Sequence, residues 1–230
     1  MVAGALSSPR TARIAKPAVL RGSGFAPPAV LIDAVRTGRP VILCDDEDRE
    51  NEGDLIFAAR FATPALVNLM IRQCGGLICV ALAPELVARF GLAPMVQNNR
   101  DPKGTAFTAS VDAASGIGTG ISARDRARTI GLLGDYATRA DGLVSPGHVF
   151  PLAARAGGLA ERRGHTEAGV LLAEAAGLVP AAAICEILDR DGDAMRRDAL
   201  LGFAAAAAIP IGTVAALVDC PAVETRILTC

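Results

Sequence analysis

The chain has 230 residues, about half of them apolar, enough for one large domain or two small ones with a real core. Twenty-four acids against 23 Lys and Arg leave a net charge of −1, and there is one Tyr and no Trp, so nothing favours a nucleic-acid surface or an anionic membrane. The six cysteines (Cys44, Cys74, Cys79, Cys185, Cys220, Cys230) form no C-x-x-C pair, and several lie in apolar runs, as free thiols of a cytoplasmic protein do.

Basic residues Arg10, Arg13, Lys16 and Arg21 precede the first acid, with no apolar signal-type run, so residues 1–27 read as a disordered extension. From Pro28 onward helices and strands alternate. Residues 28–36 have helical spacing and stop before Gly38. Strands are expected at 41–44 and 55–58, flanking a loop of acids. Thr63-Pro64 is a cap followed by a first-turn proline, predicting a helix over 64–73 that ends at Gly75-Gly76. A buried strand at 77–82 and a short helix at 84–90 come next, then a loop over 91–104. Residues 105–112 alternate as a half-buried strand does. Ser122 and Asp125 mark the start of a ten-residue helix. A polar loop leads to a strand at 148–152. Thr166 is expected to cap an Ala/Leu helix stopping at Gly177. A buried strand at 181–188, a helix at 198–208 and a strand at 209–214 complete the domain. Residues 28–218 thus read as one mixed α and β domain with helices covering a sheet, followed by a tail at 219–230. The longest Ala-rich apolar stretch, 199–209, is too short to span a bilayer.

Four groups of residues could carry chemistry. The segment Asp45 to Asp54, DDEDRENEGD, holds seven acids between two strands. Carboxylates held that close repel unless a cation neutralises them, and a hard divalent cation takes oxygen ligands. Gly53 is misplaced for an EF-hand loop. The two histidines, His148 and His165, both follow glycine, which permits close approach of backbone or ligand. In Arg162-Arg163-Gly164-His165-Thr166, two guanidiniums precede a helix N-terminus, a combination suited to a phosphate. Glu186 interrupts the apolar run 181–188, where an unpaired charge is expensive, and is a candidate base. Solvated acids, a surface basic pair and structural histidines are the plainer readings of the same residues.

Taken together, DDEDRENEGD, Pro146-Gly-His-Val-Phe-Pro151, Arg162-Arg-Gly-His-Thr-Glu-Ala168 and Ile184-Cys-Glu-Ile187 resemble the 3,4-dihydroxy-2-butanone 4-phosphate synthase family over about residues 28–218. Gly104-Thr-Ala-Phe107 and Thr119-Gly-Ile-Ser122 fit as well. The resemblance implies an α+β, three-layer fold around a mixed sheet. It implies a lyase of riboflavin biosynthesis that turns D-ribulose 5-phosphate into L-3,4-dihydroxy-2-butanone 4-phosphate and formate. The implied route passes through a metal-stabilised enediolate, a skeletal rearrangement and loss of C4. It also implies Mg²⁺, or Mn²⁺ in its place, and a homodimer with active sites near the subunit interface. Carried onto this chain, Glu50 and His165 match the metal ligands, and Arg49, Glu50 and Asp54 match substrate contacts. Arg162, Arg163, Gly164, His165 and Thr166 match the substrate-binding segment. His148 and Glu186 match the catalytic pair, with Glu186 also on the substrate. Two departures stand out: Ser145 replaces the family's Arg before Pro-Gly-His, and Gln73-Cys74-Gly75-Gly76 replaces H-G-x-G. A non-catalytic phosphosugar- or metal-binding relative, and another Mg²⁺-dependent phosphosugar enzyme, are the alternatives.

Overall fold

The computed structural model describes residues 24–220. Most of the expected extension, and the tail beyond Cys220, lie outside the described residues. Within them the chain forms a seven-stranded sheet sandwiched between two helical layers. The strands are β1 (Val41–Cys44), β2 (Gly53–Ala58), β3 (Cys79–Leu82), β4 (Val111–Ala113), β5 (Leu143–Ala153), β6 (Ala181–Glu186) and β7 (Ile211–Thr213). Their order is β4-β5-β3-β6-β2-β1-β7. β3/β5 and β1/β7 are parallel; the other neighbours are antiparallel.

Successive side chains of a strand point to opposite faces, and both faces here are covered. One face buries Ile42, Leu55, Phe57, Val80 and Ala183 against α2 (Pro64–Leu69), α3 (Pro84–Phe90), α4 (Ala123–Leu133) and α7 (Arg197–Ala207). The other buries Leu43, Ile56, Ala81, Ala182 and Ile184 against α1 (Pro28–Arg36), α5 (Gly158–Glu161), α6 (His165–Ala175) and α8 (Val214–Val218). This is why β1, β2, β3 and β6 read as continuous apolar runs. α6 comes very close to the sheet: a Cβ on Gly169 would lie 3.2 Å from Ala182 and 3.3 Å from Ile184. Small residues on both elements therefore bring the start of α6 down onto the ends of β2 and β6.

Several boundaries differ from expectation. β2 begins at Gly53, not at residue 55, which takes Asp54 out of the loop and into the sheet. The helix that opens at Pro64, with Thr63 Oγ1 accepting from Leu66 N at 3.2 Å, finishes as a π turn over Met70–Cys74 before Gly75 at φ +82°. The alternation at 105–112 makes only isolated pairings, such as Phe107 with Leu152, and the regular strand is confined to Val111–Ala113. β5 starts at Leu143, not at residue 148. Gly164, not Thr166, occupies the N-cap position of α6; the helix starts at His165, and Thr166 lies inside its first turn. The last strand is short, and Thr213 caps α8, an element with no clear sequence signal. Residues 24–27 pack on the domain, with Ala26 buried and its N–H donating to Ile211 O at 2.7 Å. The five described cysteines are free thiols.

Candidate active site

Register builds the centre of the site. β2 and β6 pair antiparallel, with Asp54 opposite Glu186. Both point to the face covered by α6, because they alternate in phase with Ile56 and Ile184. His165, first residue of α6, arrives over them with Nδ1 3.7 Å from Asp54 Oδ1. Its Nε2 lies 3.1 Å from Leu43 O. A carbonyl can only accept, so Nε2 carries the proton and the Nδ1 lone pair faces the acids. Burial holds the imidazole below its usual pKa, which keeps it neutral and able to ligate.

The acid loop divides into an inner and an outer half. Asp45, 1% exposed, is its internal staple. Asp45 Oδ2 accepts from Arg49 Nη1 at 2.7 Å and from Glu50 N at 3.1 Å, and Oδ1 accepts from Glu52 N at 3.0 Å. Arg49 Nη1 also donates to Glu50 Oε2 at 3.0 Å. These bonds hold the backbone that presents Glu50 and Glu52 beside Asp54 and His165. Glu47 and Asp48 instead face solvent, Glu47 pairing with Arg197. The plain reading of a solvated acidic run thus holds for Glu47 and Asp48 alone among the seven acids.

The inward carboxylates oppose one another. Burial, then the charges of Glu186 and Glu50, pushes Asp54 well above the usual carboxylate range. Burial, Asp54 and Glu50 push Glu52 up to about 7. Asp54 Oδ1 is buried and has no hydrogen-bond partner. Ligand atoms of Asp45, Glu50 and His165, and of Glu52, Asp54 and His165, lie within 4.8 Å of one another. An orphaned carboxylate oxygen, crowded acids and one neutral imidazole fit a hard or borderline divalent cation.

A pocket of about 150 Å³ opens over these groups, lined by Arg49, Glu50, Glu52, Asp54, Arg162, His165, Thr166 and Glu186, with Cys79, Thr105 and Phe107 among the others. Arg162 is anchored by Glu167, with Nη1 to Oε2 at 2.8 Å, and Nη2 donates to Thr105 Oγ1 at 3.1 Å. Gly164 makes room for it: a Cβ there would lie 2.1 Å from Arg162 Nη1. Arg163 is exposed and outside the lining. Glu186 is oriented by Leu77 N, which donates to Oε2 at 2.8 Å. The Cys79 thiol is pushed up by burial and by Glu186, so it stays protonated and is no nucleophile.

His148 lies outside this lining, on β5 beside β4. Phe150 and Ile184 both pair with Cys79, so the backbones of His148 and Glu186 stand two strand spacings apart, roughly 10 Å. The His148 ring is partly exposed, and Nδ1 is 2.6 Å from Asp112 Oδ2; Asp112 Oδ1 also accepts His148 N at 3.0 Å. A register shift between Val111 and Asp112 turns the carboxylate toward the ring. Two glycines allow the arrangement. A Cβ on Gly147 would lie 2.0 Å from Val111 C, and one on Gly120 would lie 2.5 Å from His148 Nδ1. Asp112 thus aligns the imidazole and leaves Nε2 free. Nothing local in the sequence marks Asp112, 36 residues from its partner. Ser145 Oγ donates to Ser110 O at 2.8 Å.

Comparison with known proteins is consistent with this geometry. The family model described as 3,4-dihydroxy-2-butanone 4-phosphate synthase matches residues 29–220. The synthase of Cupriavidus pinatubonensis is 52% identical over 190 residues, 83% of this chain and 85% of that protein. The synthase of Neisseria meningitidis serogroup B is 48% identical over 84% of this chain, which spans only 53% of that longer relative. A synthase crystal structure in complex with two magnesium ions superposes with a TM-score of 0.81 at 41% identity, covering 84% of this chain and 95% of that one. A two-domain synthase from A. baumannii superposes equally well, at 0.81 and 44% identity, covering 84% of this chain and 56% of that one. The chain belongs to the 3,4-dihydroxy-2-butanone 4-phosphate synthase family.

Proposed function

We propose that the protein converts D-ribulose 5-phosphate to L-3,4-dihydroxy-2-butanone 4-phosphate and formate, the lyase step that feeds riboflavin biosynthesis. The observation that carries this reading is the convergence of Glu50, Glu52, Asp54, His165, Glu186, Arg49 and Arg162 on one pocket. Glu50 and His165 would hold the cation, Mg²⁺ as in the relative solved with two magnesium ions, or Mn²⁺. When bound, it supplies Lewis-acid polarisation of the substrate's carbonyl and hydroxyl oxygens.

The remaining roles belong to the chain itself. Arg162, braced by Glu167, and Thr166 in the first turn of α6 receive the phosphate end of the substrate. Arg163, exposed outside the pocket, contributes charge at longer range. Gly164, by lacking a Cβ, leaves room for the Arg162 guanidinium. Arg49 and Asp54 hold the polyol hydroxyls, and Glu186 takes the C3 proton to start enediolate formation. His148 Nε2, with Asp112 stabilising the imidazolium, exchanges the other protons of the rearrangement. We read the active form as a homodimer with its sites near the subunit interface. The exposed apolar side chains Leu77, Ile121 and Val144, beside Glu186, Gly120 and the start of β5, support that reading.

Formate assayed during incubation with D-ribulose 5-phosphate and Mg²⁺, then with EDTA, tests the proposal. Formate that requires the cation is expected. Isomerised sugar without formate would mean another phosphosugar enzyme, and substrate binding without turnover a non-catalytic relative.

A further inference from the structure

The acid loop is clamped from outside as well as from within, and its clamps act on successive peptide groups. Glu50 N donates to Asp45, while the carbonyl of the same peptide, Arg49 O, accepts from Lys103 Nζ at 2.6 Å. Glu52 N likewise donates to Asp45, and the carbonyl of that peptide, Asn51 O, accepts from Arg196 Nη1 at 2.6 Å. Arg196 also takes Glu50 O at 3.0 Å. Three consecutive peptides therefore have their carbonyls tied to cations from distant parts of the chain, around Asn51 at a left-handed φ of 53°. The peptide entering Glu50 is held at both its N–H and its C=O, which fixes the direction in which the Glu50 carboxylate leaves the backbone.

The Arg196 guanidinium donates to Glu50 O and Asn51 O of the acid loop, whereas Lys103 joins that loop to the other arm of the pocket. The Lys103 carbonyl accepts from Arg162 Nε at 3.1 Å, two residues before Thr105 receives Arg162 Nη2. The segment carrying Lys103 is stiff. Asp101 accepts from Lys103 N and Thr105 N, Asn99 Nδ2 donates to Thr105 O, and Arg155 Nη2 donates to Gly104 O. A rigid strap thus sets the gap between the carboxylate arm and the guanidinium arm.

We propose that Lys103 is a positioning residue that holds the acid loop at a fixed distance from Arg162 and so sets the affinity for cation and substrate, without touching the reacting atoms. The inference rests on the function read above, but its decisive readout does not. Lys103→Met, Lys103→Arg and wild-type protein are compared in Mn²⁺ titrations followed by the electron paramagnetic resonance of the free ion, without substrate. The Met variant should bind Mn²⁺ about threefold to tenfold more weakly, the span of one partly exposed charge-assisted hydrogen bond, with Arg close to wild type. In the formate assay the same variant should raise KM by a similar factor and leave kcat within about twofold. Its melting temperature should stay within about 2 °C, since surface changes cost little. Unchanged Mn²⁺ affinity overturns the proposal, whatever KM does. A fall in kcat at constant KM also overturns it, because Lys103 would then act in the chemistry. If wild-type protein makes no formate, the functional reading fails and the Mn²⁺ comparison alone decides the role of Lys103.

Discussion

Asp54 keeps a buried oxygen without a hydrogen-bond partner, opposite Glu186 and close to Glu50 and Glu52. Each of these carboxylates raises the free energy of its neighbours' ionised forms, and Glu52 shows the consequence most plainly, with burial and Asp54 moving it up to about 7. A carboxyl whose pKa is higher folded than unfolded contributes stability below its unfolded value, near 4.5, and loses it as pH rises through the folded value, near 7. Glu52→Gln removes that loss. The metal-free variant should match the metal-free parent near pH 4.5 and exceed it by about 1 kcal/mol at pH 8, the shift being discounted for the partial exposure of Glu52. Urea midpoints at the two pH values measure this; a gap that closes on going to pH 8 would contradict it. His165 works in the opposite sense, being buried neutral, and costs stability as pH falls below about 6.5. The comparison with Glu52→Gln cancels it to first order.

At the scale of elements, what could be read in the sequence is what is local. The helices at Pro28 and Pro64 begin with proline, the second also with a capping Thr63, and both stop before glycines of positive φ. The runs of β1 and β6 are apolar because the sheet is covered on both faces. The reading failed where a distant partner decides. The stretch 105–112 alternates yet has no continuous neighbour, and Asp54 joins β2 because Glu186 pairs with it from 132 residues away. Glu50, Asp54 and Glu186 stand out in the sequence because charge in a tight or apolar setting is costly, and His165 because it follows two arginines and a glycine at a helix start; Asp112 and Lys103 give no such signal. Gly76 shows how one element end serves the site. Its N–H donates to Glu186 O at 3.2 Å, and an added Cβ would lie 2.5 Å from both that carbonyl and Oε2. Gly76→Ala should therefore push the end of β6 away from Leu77 and cut formate production at least tenfold, with the fold retained by circular dichroism. Near-native kcat/KM would show that the Leu77 N–H does not set the position of Glu186.

Over the whole molecule, the proposed cation site would act as a reserve of stability. The inward carboxylates of Glu50, Glu52 and Asp54 oppose folding without a counter-charge, and a ligand that binds only the folded chain adds RT ln(1 + [L]/Kd). Mg²⁺ at about a hundred times its Kd should add roughly 2.7 kcal/mol and raise the melting temperature by about 5–10 °C, an increment that EDTA reverses. Glu50→Gln should lose most of it; an equal shift in that variant would remove Glu50 from the cation site. The two halves of the site differ in how they are held. Asp54 and Glu186 are bound into the central strands, where Ile187 N donates to Gly53 O at 2.9 Å, whereas Arg49 to Asn51 hang on side chains reaching in from other loops. Backbone amides of the first half can exchange with solvent only when the sheet itself comes apart, while those of the second need only a local opening. On the proposed function, cation entry and product departure would need only that local opening, with Glu186 and Asp54 left in register.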